Sequence, residues 1–290
     1  MDIDVLGALA VRENGVSITP TAPKPRQVLA LLALHADQVV PVAALIEELW
    51  AASPPRSART TLQTYVLQLR ELIATALEKD EPTGEDDGPR RCAKDVLVTS
   101  PGGYLLNSGG GTSDVREFER LAGLGYRAMD AEDYPGAARK LREGLSLWTG
   151  APFADVLTGA QLEMEARRLD ESRLCALDQR IEADLRLGRH RELLAELTVL
   201  TSRYRTHESL HAQFMLALYR SGRRGEALDV YQRLRTTLVR DLGLEPSVRL
   251  RRLQHSILMA TTEAPLSPSA PQAAQPRPDA AGGERLARVG

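Results

Sequence analysis

The segment from His207 to His211 has the one spacing in this sequence that is typical of a metalloenzyme. His207-Glu208-Ser209-Leu210-His211 fits H-E-x-x-H, which places two imidazoles on one helical face for zinc, with a glutamate as general base. A peptidase site needs a third ligand, and the residues about twenty positions further on, Val230-Tyr231-Gln232, offer neither carboxylate nor imidazole. The segment fits equally well the first turn of a packed helix. We favour that structural interpretation and keep a zinc metallopeptidase as an alternative.

No other pattern in the sequence indicates catalysis or a cofactor. The chain has no G-x-x-x-x-G-K-[ST] phosphate loop, no G-x-S-x-G nucleophile turn and no paired-cysteine metal pattern. Gly109-Gly110-Gly111 has the neighbours of a linker, and the two cysteines cannot build a disulfide framework. We therefore predict a protein that is not an enzyme and that binds neither a cofactor nor a metal.

A polar helix face is the stronger functional candidate. From about Ser57, an apolar stripe recurs at helical spacing, formed by Leu62, Val66, Leu69, Ile73 and Leu77. The opposite face carries threonine and glutamine, which donate and accept hydrogen bonds and can therefore read base edges in the major groove of DNA. The residues predicted to do so are Thr60, Gln63, Thr64 and Gln68. The alternative is a merely solvated face.

Basic residues lie where phosphate contacts could set the register of such a helix. They are Arg56, Arg59 and Arg70 beside the helix, and Lys24 and Arg26 at the start of an earlier one. Residues 1–107 nevertheless hold 10 basic and 14 acidic side chains, and six of the acids fall in 78–87, away from these contacts. Because this charge predicts modest affinity per copy, we expect two copies to bind repeated half-sites.

The elements that must position the polar helix follow from the apolar periodicity of residues 1–107. Short apolar runs flank Asn14-Gly15 and predict an antiparallel hairpin, which begins a small sheet. Helices are predicted from Pro25 and from Pro41, before the third helix at Ser57. A solvated loop over 78–91 precedes a hairpin that turns at 100–103. This order of elements, a sheet followed by three helices and a closing hairpin, is typical of a winged helix-turn-helix.

The second half is different, because it is almost continuously helical from about Asp114 to Ala260. The segment that starts at Gly188 recurs at Gly222, an offset of 34 residues that is typical of tetratricopeptide repeats. A more diverged copy lies near Glu132, with room for an inserted helix over 162–174. Such stacked helical pairs are most often protein-binding scaffolds, so an adaptor remains an alternative function. The last 30 residues are predicted to be a disordered tail.

Global composition excludes some classes of protein. The net charge of −2 gives no overall field that would mark a nucleic-acid or membrane binder. The longest apolar stretch, Val28 to Leu34, is far shorter than the ~18 residues of a membrane span. Met1 to Asp4 lacks the basic flank and apolar run of a signal peptide, so we expect a cytoplasmic protein.

Eight runs of residues carry a likeness to one known family. In the first half they are Lys24-Pro25-Arg26-Gln27-Val28-Leu29-Ala30-Leu31-Leu32-Ala33-Leu34, Leu49-Trp50, Thr60-Thr61-Leu62-Gln63-Thr64-Tyr65-Val66 and Gly102-Gly103-Tyr104. In the second half they are Asp184-Leu185-Arg186-Leu187-Gly188-Arg189-His190, His207-Glu208-Ser209-Leu210-His211, Ala217-Leu218-Tyr219-Arg220-Ser221-Gly222-Arg223 and Leu242-Gly243-Leu244-Glu245-Pro246-Ser247. Over about residues 1–258 the chain resembles the Streptomyces antibiotic regulatory proteins, most closely activators of anthracycline-type polyketide clusters.

The resemblance implies a mainly α fold with a small β component. It implies an OmpR-like winged helix-turn-helix at 1–107 and an all-α, tetratricopeptide-like bacterial transcriptional activation domain at 108–260, with the tail at 261–290. It also implies a transcriptional activator that binds direct repeats in double-stranded DNA near the −35 element, as a dimer on DNA. The family recruits RNA polymerase through its sigma or alpha subunits, which places this protein at the nucleoid.

The same resemblance assigns roles to particular residues. It adds Thr61 and Tyr65 to the DNA-reading helix. It identifies a wing formed by Thr99, Gly102, Gly103 and Tyr104. It also matches a polymerase-contacting loop that consists of Ala51, Ala52, Ser53, Pro54 and Pro55.

Overall fold

Two three-stranded antiparallel sheets flank the first helices. The structure is a computed structural model that describes residues 1–78 and 91–260; the predicted loop at 79–90 and the predicted tail at 261–290 lie outside the described residues. The first sheet has the order β1-β2-β3 and consists of β1 (Asp2–Asp4), β2 (Ala10–Glu13) and β3 (Val16–Ser17). The second has the order β4-β6-β5 and consists of β4 (Val39–Pro41), β5 (Leu97–Ser100) and β6 (Gly103–Leu106).

Both predicted hairpins are confirmed. Asn14 and Gly15 have φ angles of 51° and 74°, the two positive values that a type I′ turn requires. Gly102, with φ of 80°, turns the hairpin between β5 and β6. Strand β4 was not predicted, because Val39-Val40-Pro41 is too short to show a period. The second helix was predicted to begin at Pro41, but Pro41 ends β4 and the helix begins one residue later.

The described part of the first half contains four helices: α1 (Pro23–Leu34), α2 (Val42–Trp50), α3 (Ala58–Glu78) and the short α4 (Ala93–Val96). Helix α1 begins two residues before the predicted Pro25. The predicted apolar stripe of α3 is buried from Leu62 to Ile73, but its last member, Leu77, is half-buried. The last buried residue of the helix is Ala76 instead. The stripe packs α3 on the core along most of its length, which leaves its other side exposed to solvent.

The second half contains seven helices within the described residues. They are α5 (Asp114–Asp130), α6 (Tyr134–Leu145), α7 (Ala160–Arg186), α8 (Leu194–Arg203), α9 (Glu208–Arg220), α10 (Arg224–Leu242) and α11 (Val248–Met259). Gly188 and Gly222 occupy equivalent turns, with φ of 79° and 82°. The predicted inserted helix over 162–174 is not a separate element. It is the first half of α7, because no glycine or proline interrupts the chain from Ala160 to Arg186.

The hydrophobic core continues across residue 107, where composition places a domain boundary. One buried cluster joins Ile3 and Leu29 of the first half to Phe118, Phe153 and Leu162 of the second. A second cluster fills the space among α7 to α11. The glycine linker lies against the first sheet, since the Ile3 amide donates to the Thr112 carbonyl at 3.0 Å. The two halves therefore share apolar packing on both sides of this boundary.

Three carboxylates also tie the halves together. Glu48 on α2 is 2% exposed and accepts hydrogen bonds from the backbone amides of Gly159, Gln161 and Leu162, where α7 begins. Asp114 accepts from two amides in the turn after β1, both at 2.7 Å. Asp155 accepts from the Leu9 amide at 2.7 Å. Helix α7 is thus capped by a side chain more than a hundred residues earlier.

Within residues 1–78 and 91–260, no helix combines the length and the apolar character that a membrane-spanning segment needs.

Candidate nucleic-acid interface

The side of α3 opposite its buried stripe is exposed. Thr60, Gln63, Thr64 and Gln68, the four residues predicted from periodicity to read bases, all lie on this side. Their amide groups and hydroxyls combine donors with acceptors, as base-edge recognition requires. Thr61 and Tyr65, added by the family resemblance, are half-buried, and Tyr65 packs against the core. The structure thus brings four of the six predicted base-reading residues onto one open face.

Leu67 is an apolar residue in the middle of this polar face. Its side chain is 56% exposed, and it follows Thr64 by about one helical turn. An exposed leucine side chain gains no hydrophobic stabilisation in water, but an apolar side chain at this place can contact the methyl group of thymine. Sequence spacing gives Leu67 no role, because a single apolar residue among polar ones carries no period.

Arg56 and Arg59 lie at the entrance to α3. Both are exposed, and neither pairs with a carboxylate in the part of the chain that the structure describes. An unpaired guanidinium at the start of a groove-entering helix is well placed to meet a phosphate. Of the five predicted phosphate contacts, these two have no carboxylate or carbonyl partner among the described residues.

Arg70, also predicted to contact phosphate, has internal partners. Its guanidinium donates to the Leu97 carbonyl oxygen, from Nε at 3.1 Å and from Nη2 at 2.8 Å. Nη2 also donates to the Thr99 hydroxyl at 2.8 Å. Arg70 therefore joins α3 to strand β5 and holds the closing hairpin against the helix.

We expect Arg70→Ala to loosen this hairpin. Loss of the guanidinium removes the donors to Leu97 and Thr99, each hydrogen bond to a charged group being worth about 1.5–3 kcal/mol. Protection of the β5 amides in native-state hydrogen exchange should therefore fall by about tenfold or more. Arg56→Ala, which removes an exposed arginine that has no carboxylate partner among the described residues, is the control. Unchanged β5 protection in Arg70→Ala would contradict the bracing role.

Lys24 and Arg26 also have partners inside the protein. The Lys24 ammonium donates to the Leu49 carbonyl at 2.6 Å, at the end of α2. Arg26 forms an ion pair with Asp155 at 2.7 Å and donates to the Pro20 carbonyl at 2.8 Å. Their contacts with phosphate remain predictions. To contact a phosphate, each side chain would have to share its donors with these internal partners or break its bonds to them.

The closing hairpin presents only part of the predicted wing. Thr99 and Gly102 are exposed, whereas Gly103 is buried and Tyr104 is 8% exposed. A Cβ at Gly103 would collide with the backbone of Val40, so β4 can approach β6 only because residue 103 is glycine. Within the wing, Gly103 and Tyr104 belong to the packing of the second sheet.

The segment between α2 and α3 is an exposed loop. All five residues from Ala51 to Pro55, predicted from the resemblance to contact polymerase, are exposed. Ala51 has φ of 49°, which turns the chain sharply after Trp50. The loop thus connects the two helices of the helix-turn-helix and presents its whole length to solvent.

The H-E-x-x-H segment forms a helix start. The His207 ring nitrogen Nδ1 accepts from the Leu210 amide at 3.4 Å and caps α9. His211 is 7% exposed, with Nδ1 3.0 Å from the His207 carbonyl oxygen. Glu208 accepts from the Ser247 amide at 2.9 Å. In residues 1–78 and 91–260 there is no group of three histidine, cysteine or acidic side chains that could hold a metal ion. His207, Glu208 and His211 therefore have structural roles.

The buried His211 predicts a pH dependence of stability. Burial lowers its pKa below the ordinary 6.5, with a smaller opposing effect from the His207 carbonyl. The unfolded chain then binds the proton more readily, so the free energy of unfolding should fall as the pH falls below about 6.5.

We expect His211→Gln to flatten this dependence between about pH 7.5 and 5.5, measured by urea unfolding. His255→Gln, which replaces an exposed imidazole, should retain the wild-type slope. A slope that is equally steep in His211→Gln would show that other groups cause it.

Comparison with known proteins gives two family matches. Residues 16–83 match the family described as transcriptional regulatory protein, C terminal. Residues 113–258 match the bacterial transcriptional activator domain, which covers half of the chain. Both families consist of transcriptional regulators, and the second begins beside the glycine linker.

Individual relatives agree with these matches. The regulatory protein DnrI of Streptomyces peucetius is 52% identical over 260 residues, which cover 90% of this chain and 93% of DnrI. AfsR of Streptomyces coelicolor is 35% identical, over 88% of this chain and 24% of its own length. The solved structure of Mycobacterium tuberculosis EmbR in complex with a low-affinity phosphopeptide has 33% identity and a TM-score of 0.77. It covers 89% of this chain, which spans 64% of that structure.

These findings confirm several expectations. The fold is mainly α with a small β component, and the matched relatives combine a winged helix with an all-α activation domain. The matched families and relatives are regulators and not enzymes, so the prediction of a non-enzyme is confirmed and the zinc metallopeptidase alternative is wrong. The chain belongs to the Streptomyces antibiotic regulatory protein family of transcriptional regulators.

Proposed function

We propose that this regulator is a sequence-specific, DNA-binding activator of a secondary-metabolite gene cluster, with an antibiotic polyketide as the product class. The observation that carries the proposal is the exposed face of α3. Thr60, Gln63, Thr64 and Gln68 are uncovered, while the opposite stripe of the helix is buried. The likeness to DnrI, at 52% identity, and membership of the Streptomyces antibiotic regulatory protein family support the product class.

In this proposal α3 enters the major groove with its polar face toward the bases. The side chains of Gln63 and Gln68 can each donate and accept, so either can form a bidentate pair with an adenine edge. Arg56 and Arg59 meet the phosphates at the helix entrance. The exposed tip of the hairpin, with Thr99 and Gly102, lies along the flanking backbone as a wing.

The charge of the first half explains why two copies are needed. The net charge of residues 1–107 is −4, so phosphate neutralisation contributes less affinity than in a basic DNA-binding domain. Two copies on adjacent direct repeats recover the affinity, because the second copy binds at a high effective concentration beside the first. We propose such a dimer on DNA, with its repeats near the −35 element.

The proposed contact with RNA polymerase uses the loop from Ala51 to Pro55. All five residues are exposed, and the two prolines restrict the backbone of the loop before it meets a partner. Bound near the −35 element, the protein would present this loop to the sigma or alpha subunits. The proposed role is recruitment and needs no chemistry from the activator.

Footprinting with the full-length protein tests the proposal. The probe is a promoter fragment from the protein's own gene cluster that carries two heptameric direct repeats, and the control fragment has one repeat scrambled. We expect protection in register with both repeats and loss of most protection on the control at moderate salt. Equal protection of both fragments, or none even at low salt, would refute sequence-specific binding and would favour the helical-repeat adaptor.

A further inference from the structure

A cleft opens between α6, α7 and α8 in the activation domain. Its volume is about 480 Å³, within the range of about 300–1,000 Å³ that is usual for small-molecule sites. Leu145, Leu177 and Leu200 contribute an apolar lining, and the half-buried Tyr204 lies at one side. The cleft is far along the chain from the DNA-reading helix, and neither the family likeness nor the proposed function gives it a role.

The charged lining of the cleft is strongly asymmetric. Four arginines line it, at positions 142, 173, 180 and 203, against a single carboxylate, Glu196. Arg180 is 7% exposed and pairs with both Glu196 and Asp184, and Arg142 shares Asp184 at 3.1 Å. These two arginines therefore have carboxylate partners of their own, although Arg189 also pairs with Asp184 at 2.9 Å and leaves this cluster with a net positive charge.

The remaining two arginines have no carboxylate partner in the described residues. Arg173 is held in place, since its guanidinium lies 4.8 Å from the centre of the Trp148 ring and donates to the Gly150 carbonyl at 3.2 Å. Arg203 is exposed and lies 5.5 Å from the centre of the Tyr204 ring. Both keep donors free, because a guanidinium has five N–H groups and these contacts use few of them.

We propose that this cleft binds a small organic acid, with its apolar body on the leucines and its anionic group on Arg173 and Arg203. The ligand's acid group is a carboxylate or a phosphate, since a guanidinium fork matches both. The apolar lining accounts for the body of the ligand, and the two unmatched positive charges account for its acid group. The volume fits a compact molecule.

Fluorescence titration of the full-length protein with 1-anilinonaphthalene-8-sulfonate tests the site, because this probe combines an aromatic body with one fixed negative charge. Arg203→Ala should weaken its binding by about tenfold, as expected for one lost charge-assisted hydrogen bond. The matched control is Arg205→Ala, which removes an exposed arginine two residues away that does not line the cleft. Arg203 is preferred to Arg173, which also packs on Trp148.

Competition and charge controls complete the test. N-phenyl-1-naphthylamine, which lacks the sulfonate, should bind equally to wild type and Arg203→Ala. Octanoate and octyl phosphate should displace the sulfonate probe, and the stronger of the two identifies the preferred acid group. Circular dichroism and the melting temperature establish that Arg203→Ala is folded. Equal affinity of Arg203→Ala and Arg205→Ala for the sulfonate probe would overturn the proposal. Displacement of the probe by hexaglutamate but by neither octyl compound would also overturn it, because the ligand would then be an acidic peptide.

Discussion

Glu48→Ala should lower the free energy of unfolding by about 3 kcal/mol, the largest effect that we expect of one substitution. The Glu48 carboxylate accepts from the amides of Gly159, Gln161 and Leu162 and from the side chain of Gln27, all within 2.5–3.1 Å. Alanine removes the acceptor of the three α7 amides, of which that of Leu162 is buried and those of Gly159 and Gln161 are half-buried, and a buried donor without an acceptor costs about 1–3 kcal/mol. It also removes a negative charge from the start of α7, where the helix dipole favours one.

Urea unfolding of the full-length protein measures this effect. Glu47→Ala is the matched control, because Glu47 is the adjacent glutamate and is exposed, and its carboxylate accepts a hydrogen bond from the side chain of Gln161 at 2.9 Å. It should change the free energy of unfolding by less than about 0.5 kcal/mol. Glu48→Gln should lie between the two, since an amide keeps one acceptor oxygen but loses the charge. Equal effects of Glu47→Ala and Glu48→Ala would contradict the capping role.

Gln68→Ala should reduce the preference for operator over random DNA by about 10- to 100-fold, with little change in affinity for random DNA. A bidentate pair between a side chain and a base edge contributes about 1–3 kcal/mol of discrimination, and this contact is absent from random sequence. The measurement is a competition binding assay of the full-length protein with operator and scrambled duplexes at one salt concentration. Thr75→Ala, on the same helix and exposed, is the control and should behave as wild type.

Arg59→Ala should act differently, because a phosphate contact carries no sequence information. It should weaken binding to both duplexes alike and reduce the slope of log affinity against log salt by about 0.9. Arg59 is the better choice for this comparison than Arg70, whose guanidinium is committed to Leu97 and Thr99. If Gln68→Ala and Arg59→Ala changed specificity and affinity in the same proportion, the division between base and phosphate contacts would be refuted.

The local elements of the fold were predictable because their signals are local. Asn14-Gly15 indicated a type I′ turn from two adjacent residues, and the stripe from Leu62 to Ile73 indicated the buried side of α3 from spacing alone. Strand β4 escaped detection, since three residues are too few for a period. The length of α7 was also missed, because a repeat offset marks equivalent turns and does not show whether the helices between them are joined.

The site was predictable to a smaller extent. Periodicity placed Gln63 and Gln68 on an open face, as the structure has them. The roles of the basic residues could not be predicted in the same way, because a cationic side chain near a candidate site can bind either a phosphate or a carbonyl or carboxylate of the protein. Arg26 is near the site in sequence and yet pairs with Asp155, which lies 129 residues away.

By itself the sequence determined helices α1 to α3, the hairpin turns, the polar side of α3 and the family to which the chain belongs. These depend on residues a few positions apart, or on likeness along the chain. Only the tertiary structure decided that Glu48 caps α7 from 111 residues before Gly159 and that Arg70 braces the hairpin. It also decided that Arg173 and Arg203 line one cleft without a carboxylate partner in the described residues. Hydrogen bonds and ion pairs act over a few ångströms, so their partners are chosen by packing, which brings together residues that sequence spacing does not relate.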